Sequence, residues 1–256
     1  MLAEEIAAVT GNPRVIHTPN LLSKLQGVEF SSTISTLRRG QSAWGRVNTM
    51  SGIMTALRKN LVQEVGGFAI DQPTEDIELT WRLHRYGYRC IYEPAALVGM
   101  HVPLTLRAWL KQRMRWARGL VRVLQRHGFA IIRKNEWPVY PLLLEASLAI
   151  IWCHLLVTMT IFWGVGISYG VPDLGNSLIL NHWGFLTVGV AILQILWGIH
   201  LDANHDSGIS KLRILAPIYP LVYWLLSAIT VVLTTIPTLL TRPKPVTWNS
   251  QRSKVN

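Results

Sequence analysis

Residues 73–94, "PTEDIELTWRLHRYGYRCIYEP", hold the change of pattern that decides the fold. Residues 75–86 read as an amphipathic helix with Thr74 as its N-cap, Gly87 stops it, and "YRCIYEP" reads as the strand that follows. Upstream, "IAAVTG" is a short apolar run ending in Gly, as expected of a buried strand. "NTMSGIMTALRKNLVQEVGGF" begins strand-like and continues as a helix closed by Gly66 and Gly67. Strands alternating with helices indicate an α/β unit with a mostly parallel sheet.

The rest of the chain has a different character. Half of its 256 residues are apolar and only 15% are charged, which points toward a membrane. The net charge of +11 is uneven, since 19 of the 25 Lys and Arg precede residue 141. A basic front half suggests phosphate groups on lipids or on a nucleotide-sugar. Nucleic acid is excluded as a partner by the want of zinc spacing, an aromatic RNP-like strand or a recognition helix free of a membrane neighbour. Cys90 and Cys153 are isolated and read as packing residues. The first residues carry two acids and no basic n-region, so they do not read as a signal peptide.

Three apolar runs follow, over 146–167, 183–199 and 214–241, none containing Asp, Glu, Lys or Arg. Roughly 20 residues at about 1.5 Å each cross the hydrocarbon, so three spans are expected, the second the shortest. The basic stretch 107–134 flanks the first span and the loop 168–182 has no Lys or Arg, which sets the front half in the cytoplasm. Three crossings would then leave Arg242, Lys244, Arg252 and Lys254 outside, against the positive-inside rule. Pro217, Pro220 and Pro237 leave open a broken or re-entrant third segment that keeps this end inside.

Two stretches carry candidate chemistry. Glu75 and Asp76 fall in a first helical turn, where the helix dipole favours carboxylates whether or not they react. In "LRAWLKQRMRWARGLVRVLQR", residues 106–126, a helix puts Gln112, Arg115 and Trp116 on one face. A guanidinium fork suits a diphosphate and an indole suits a sugar ring. The same helix also reads as an interfacial one, with Arg118, Arg122 and Arg126 on lipid phosphates.

Thr74-Glu75-Asp76 followed by Gln112-Arg113-Met114-Arg115-Trp116 resembles the T-E-D and Q-x-x-R-W pair of the processive, membrane-embedded family 2 glycosyltransferases. "AAVTGNPRV", "TMSGIMTALRK", "EVGGF" and "YEPAALV" are most similar to the bacterial poly-β-1,6-N-acetylglucosamine synthase branch, and the resemblance runs from about residue 3 to about residue 245. It implies a partial glycosyltransferase A-type (nucleotide-diphospho-sugar transferase) α/β domain over 1–100. Amphipathic interfacial helices over 101–141, about three transmembrane α-helical segments over 142–241 and a basic tail over 242–256 would follow. The implied reaction is inverting transfer of N-acetylglucosamine from UDP-N-acetylglucosamine to a growing polysaccharide, coupled to translocation across the inner membrane. Asp76 would be the general base and Glu75 would orient it. Thr74, Gln112, Arg113, Arg115 and Trp116 would hold donor diphosphate and acceptor, with Ser51 and Gly52 in the loop beside the acceptor.

The complete enzymes of this resemblance use a divalent metal, Mg or Mn, held on the diphosphate by a D-x-D motif. Here the first Asp is Asp71, and the acids before it are Glu4, Glu5, Glu29 and Glu64, none at that spacing. No metal ligand is therefore assigned. The chain is expected to be the C-terminal half of an enzyme, inactive alone and completed by an N-terminal half or an accessory subunit. A non-catalytic membrane subunit that kept the helices is the alternative, and a basic membrane-surface adaptor is a third reading that leaves Thr74 to Asp76 unexplained.

Overall fold

The computed structural model describes residues 5–170, 182–243 and 245. Strand β1 (Ile6–Val15) is central in a three-stranded sheet, between β2 (Thr55–Leu57), antiparallel to it, and β3 (Arg89–Met100), parallel to it. The expected mostly parallel sheet is thus corrected to a small mixed one. β2 pairs Ala8 with Leu57 and Thr10 with Thr55 in antiparallel register, while β3 pairs Val9 with Ile91 and Thr10 with Tyr92 in parallel register. Between Thr10 and Asn12 the register with β3 slips from Tyr92 to Leu97, around Pro94, which has no N–H to give the ladder. Asn12 Nδ2 donates to the Pro94 carbonyl at 3.0 Å. At the slip a Cβ on Gly11 would lie 2.8 Å from the Ala96 carbonyl oxygen, so the approach requires glycine.

Helix α3 (Lys59–Glu64) ends at Gly66 and Gly67, with φ of 91° and 70°, and α4 (Glu75–Arg85) ends at Gly87, with φ of 91°, as the sequence indicated. The sequence reading did not place the arm between β1 and β2. There α1 (Leu21–Val28), a π-helical stretch Glu29–Ile34 and α2 (Ser35–Ala43) follow one another. Asn20 opens the arm with a capping box: its Oδ1 accepts the Ser23 N–H at 2.9 Å and its own N–H donates to Ser23 Oγ at 3.2 Å. Ser31 and Ser32 turn their hydroxyls back onto the carbonyls of Gly27 and Val28, which lets a polar stretch be buried.

After β3 come α5 (Leu106–Arg133), α6 (Tyr140–Ser168), α7 (His182–Ala203) and α8 (Trp224–Leu240). Trp81 of α4 joins Val123 and Ile131 of α5 and Leu142 and Ala146 of α6 in one buried cluster, fixing the sheet unit to the helices. Three stretches, Trp137–Ser168, Phe185–Ala203 and Tyr219–Leu240, are long and apolar enough to cross a membrane. Leu148, Ile151, Leu155, Ile161 and Phe162 of α6 are exposed, an apolar surface that suits lipid.

Polar anchors fix the ends of the later helices. Asp202 of α7 is fully buried, 2.8 Å from Arg14 of β1 and 2.7 Å from Arg39 of α2, and accepts from Ser35 Oγ at 2.8 Å. Both ends of α8 are held by α5. Trp109 Nε1 donates to Tyr223 Oη at 2.8 Å, while Arg122 donates to the Thr241 carbonyl at 2.7 Å and Gln125 Nε2 to the Leu239 carbonyl at 3.3 Å. Trp109 to Gln125 and Tyr223 to Leu239 are the same number of residues, about 24 Å of helix each, so α8 lies alongside α5. Arg122, expected on lipid phosphates, is instead buried against Thr241, while Arg126 stays exposed and pairs with Asp71 at 2.9 Å.

Candidate active site

The first turn of α4 and the loop before β2 build the site. Asp76 accepts the Ile77 N–H at 2.9 Å on Oδ1 and the Gly52 N–H at 3.1 Å on Oδ2. The loop is pinned over the helix by Met50 N–H, which donates to Thr80 Oγ1 at 3.2 Å, and by Ser51 N–H, which donates to Thr10 Oγ1 of β1 at 2.8 Å. A Cβ on Gly52 would come within 3.1 Å of the Asp76 carboxylate, so glycine suits this approach. Burial raises the pKa of Asp76, against the N–H groups of Ile77 and Gly52 and the charge of Arg115. Burial also raises Glu75, with Asp76 adding to the rise and Arg115 opposing it.

Helix α5 crosses the same turn. Arg115 Nη1 donates to the Pro73 carbonyl at 3.1 Å, one residue before Thr74. The closest approach is at Gly119, where a Cβ would stand 1.9 Å from Thr74 Oγ1 and 2.7 Å from Thr74 Cβ. Glycine is the only residue that fits. Thr74 occupies the N-cap position but its hydroxyl makes no cap bond and is buried without a partner among the described residues, so the cap is positional only.

The structure thus brings together Thr74, Glu75, Asp76, Ser51, Gly52 and Arg115. Gln112 is partly exposed on α5. Arg113 turns elsewhere: it is buried, donates to both Glu29 carboxylate oxygens at 2.7 and 2.5 Å and to Tyr223 Oη at 2.9 Å, and stacks on Trp116 at 4.3 Å. Trp116 also meets Phe30 edge-on, with ring centroids 6.4 Å apart. Sequence reasoning missed Glu29, Tyr223 and Gly119. A glycine in the middle of a long helix was the one available signal for the last.

Among the described residues no three His, Cys, Asp or Glu side chains converge where they could hold a metal ion. Glu29 and Glu64 are taken by Arg113 and Tyr88. These side chains do not fit a divalent-metal site of their own.

A half-buried carboxylate at a helix start, with one loop N–H and one helix N–H at its oxygens and an arginine from a flanking helix at the same turn, lies on an α/β unit joined to apolar helices. A family model described as Glycosyl transferase family group 2 matches residues 1–240, and the chain belongs to that family. Its α/β unit is accordingly of the nucleotide-diphospho-sugar transferase type. The chain is 34% identical over 250 residues, 96% of its length, to a poly-beta-1,6-N-acetyl-D-glucosamine synthase of Staphylococcus aureus (strain COL). It is 33% identical over 252 residues to the synthase of that name from Staphylococcus epidermidis. The chain spans 60% of the length of each relative. Among solved structures, the mannosyltransferase PcManGT from Pyrobaculum calidifontis, in complex with GDP-Man and Mn2+, matches 92% of this chain and 54% of its own at 18% identity and a TM-score of 0.49.

Proposed function

We propose that this chain supplies the acceptor-activating part of a processive polysaccharide synthase that transfers N-acetylglucosamine from UDP-N-acetylglucosamine with inversion. The observation that carries this reading is the Asp76 carboxylate, fixed by Gly52 and Ile77 beside Arg115. Asp76 takes the proton of the acceptor hydroxyl as its oxygen bonds to the anomeric carbon. The bond from that carbon to the diphosphate breaks, and its electron pair leaves with UDP. A carboxylate with a raised pKa is a stronger base than an exposed one, and Asp76 ends the step protonated. Arg115 faces the charge that grows on the leaving diphosphate. Glu75 orients the base, and Gln112 and Trp116 receive the acceptor end, with Arg113 holding the Trp116 ring in place from below.

The divalent cation expected of the complete enzyme would take its ligands from outside the described residues. The α/β unit and α5 lie on the cytoplasmic side of the inner membrane. Helices α6 and α7 cross it, and α8 stays at the cytoplasmic interface. Lying along α5 at full hydrocarbon depth would bring Arg113, Arg115, Arg118 and Arg122 there with it, which is prohibitive. A screen of radiolabelled nucleotide-sugars on the enzyme completed to the length of its relatives tests the reading. Polymer from UDP-N-acetylglucosamine alone is the expected result, and a different preferred donor would refute the assigned sugar.

A further inference from the structure

Among the described residues four arginines are buried: Arg14, Arg38, Arg113 and Arg122. Arg14 pairs with Asp202, Arg113 with Glu29, and Arg122 donates to the carbonyl and hydroxyl of Thr241. Arg38 is different. It is 8% exposed, and its Nη1 is buried with no hydrogen-bond partner among the described residues. A buried guanidinium with no ion pair and an unpartnered N–H among the described residues is costly to keep, so its place requires a reason.

The backbone shows where it points. On α2, Ser35 and Ser42 both bond Tyr92, through its hydroxyl at 2.8 Å and its N–H at 2.8 Å. Arg38 lies three residues after the first and four before the second, on the same face of the helix. Tyr92 is paired across the sheet with Thr10, whose hydroxyl accepts the Ser51 N–H, and the next residue of that loop, Gly52, donates to Asp76. Burial lowers the pKa of Arg38, and the two ionisable groups that pull it the other way are Tyr92 and Asp76.

We propose that Arg38 is an anion-binding residue of the Asp76 site, donating to a diphosphate from α2 while Arg115 serves it from α5. This rests on the transferase reading above and adds a residue to it. A diphosphate has the charge and the paired oxygens that a guanidinium fork accepts. The vacant Nη1 is then the donor set aside for the ligand. The serines and Tyr92 are the frame that holds it in place.

Inorganic pyrophosphate, titrated calorimetrically into the purified full chain in lipid-free detergent micelles, tests this without lipid phosphates or turnover. Arg38→Gln should weaken binding at least tenfold, and Arg38→Lys should recover part of it. Because the native guanidinium is buried with no ion pair and an unpartnered Nη1 among the described residues, Arg38→Gln should melt no lower than the parent. Unchanged affinity in Arg38→Gln, or no binding by the parent, overturns the proposal. So does a lower melting point in Arg38→Gln accompanying the weaker binding, which would mark a structural residue. The base assignment is tested separately, since pyrophosphate binding needs no proton transfer.

Discussion

Burial pushes the Asp76 carboxyl up while two N–H groups and Arg115 pull it down, and burial prevails. Between the ordinary carboxylate value and this raised one, the folded chain holds a proton that the unfolded chain has released. Stability from this group therefore falls as pH rises through that window. The same shift moves catalysis, because only the ionised form accepts a proton. The acid limb of kcat/KM against pH should lie above the ordinary carboxylate range and follow Asp76, and a limb at or below that range would show that Asp76 is not the titrating base. Gly119 sets the distance between the two motifs. In an open helix Gly→Ala stabilises by about 1 kcal/mol, but here the methyl would overlap Oγ1, Cγ2 and Cβ of Thr74. Overpacking of that kind costs about 1–3 kcal/mol, so Gly119→Ala should unfold at lower denaturant and lose transfer. A variant as stable and active as the parent would mean that α5 does not need this approach. The carboxylates and the arginine were readable from type and spacing. Gly119 was not, because its role depends on a residue 45 positions away that only the fold brings near.

Helix α5 was expected to present Gln112, Arg115 and Trp116 on one face, and the helix is there. The face divides between two tasks. Arg115 reaches the turn before Thr74, whereas Trp116 lies between Arg113 and Phe30. Spacing along a helix gives directions but not partners, and the partner of Arg113 comes from the π-helical stretch of an arm whose serines disguise it as a loop. That pair is buried, so breaking one side leaves an uncompensated charge. Glu29→Gln should destabilise the chain by about 3–5 kcal/mol. Glu29→Gln combined with Arg113→Met should be destabilised by less than the sum of the two single changes, as read from a double-mutant cycle in chemical denaturation. Additive effects would show that the two side chains act independently. The short mixed sheet was half legible. The strands announced themselves as apolar runs between glycines, but their directions depend on where each connection passes.

At the scale of the whole molecule, the three apolar runs were visible as runs, and the conflict between a third crossing and its basic end was visible too. What hydropathy could not supply is that α5 holds both ends of α8. With Cys90 and Cys153 replaced by Ser, Arg242→Cys should resist a membrane-impermeant maleimide in intact cells and react after permeabilisation. Labelling of intact cells would return α8 to a full crossing. The loop before β2 and α5 meet at the first turn of α4, and the chemistry of its carboxylate is the central claim. In the enzyme completed to the length of its relatives, initial rates of polymer formation from UDP-N-acetylglucosamine should be compared for the parent and Asp76→Asn. Asn keeps the size of Asp and still suits a helix start, so folding should change by about 1 kcal/mol or less. The expected result is a rate lowered by about 10² to 10⁴, the usual share of a general base, with UDP affinity little changed. A near-parental rate would contradict it and leave Asp76 as a helix-terminal acid and no more.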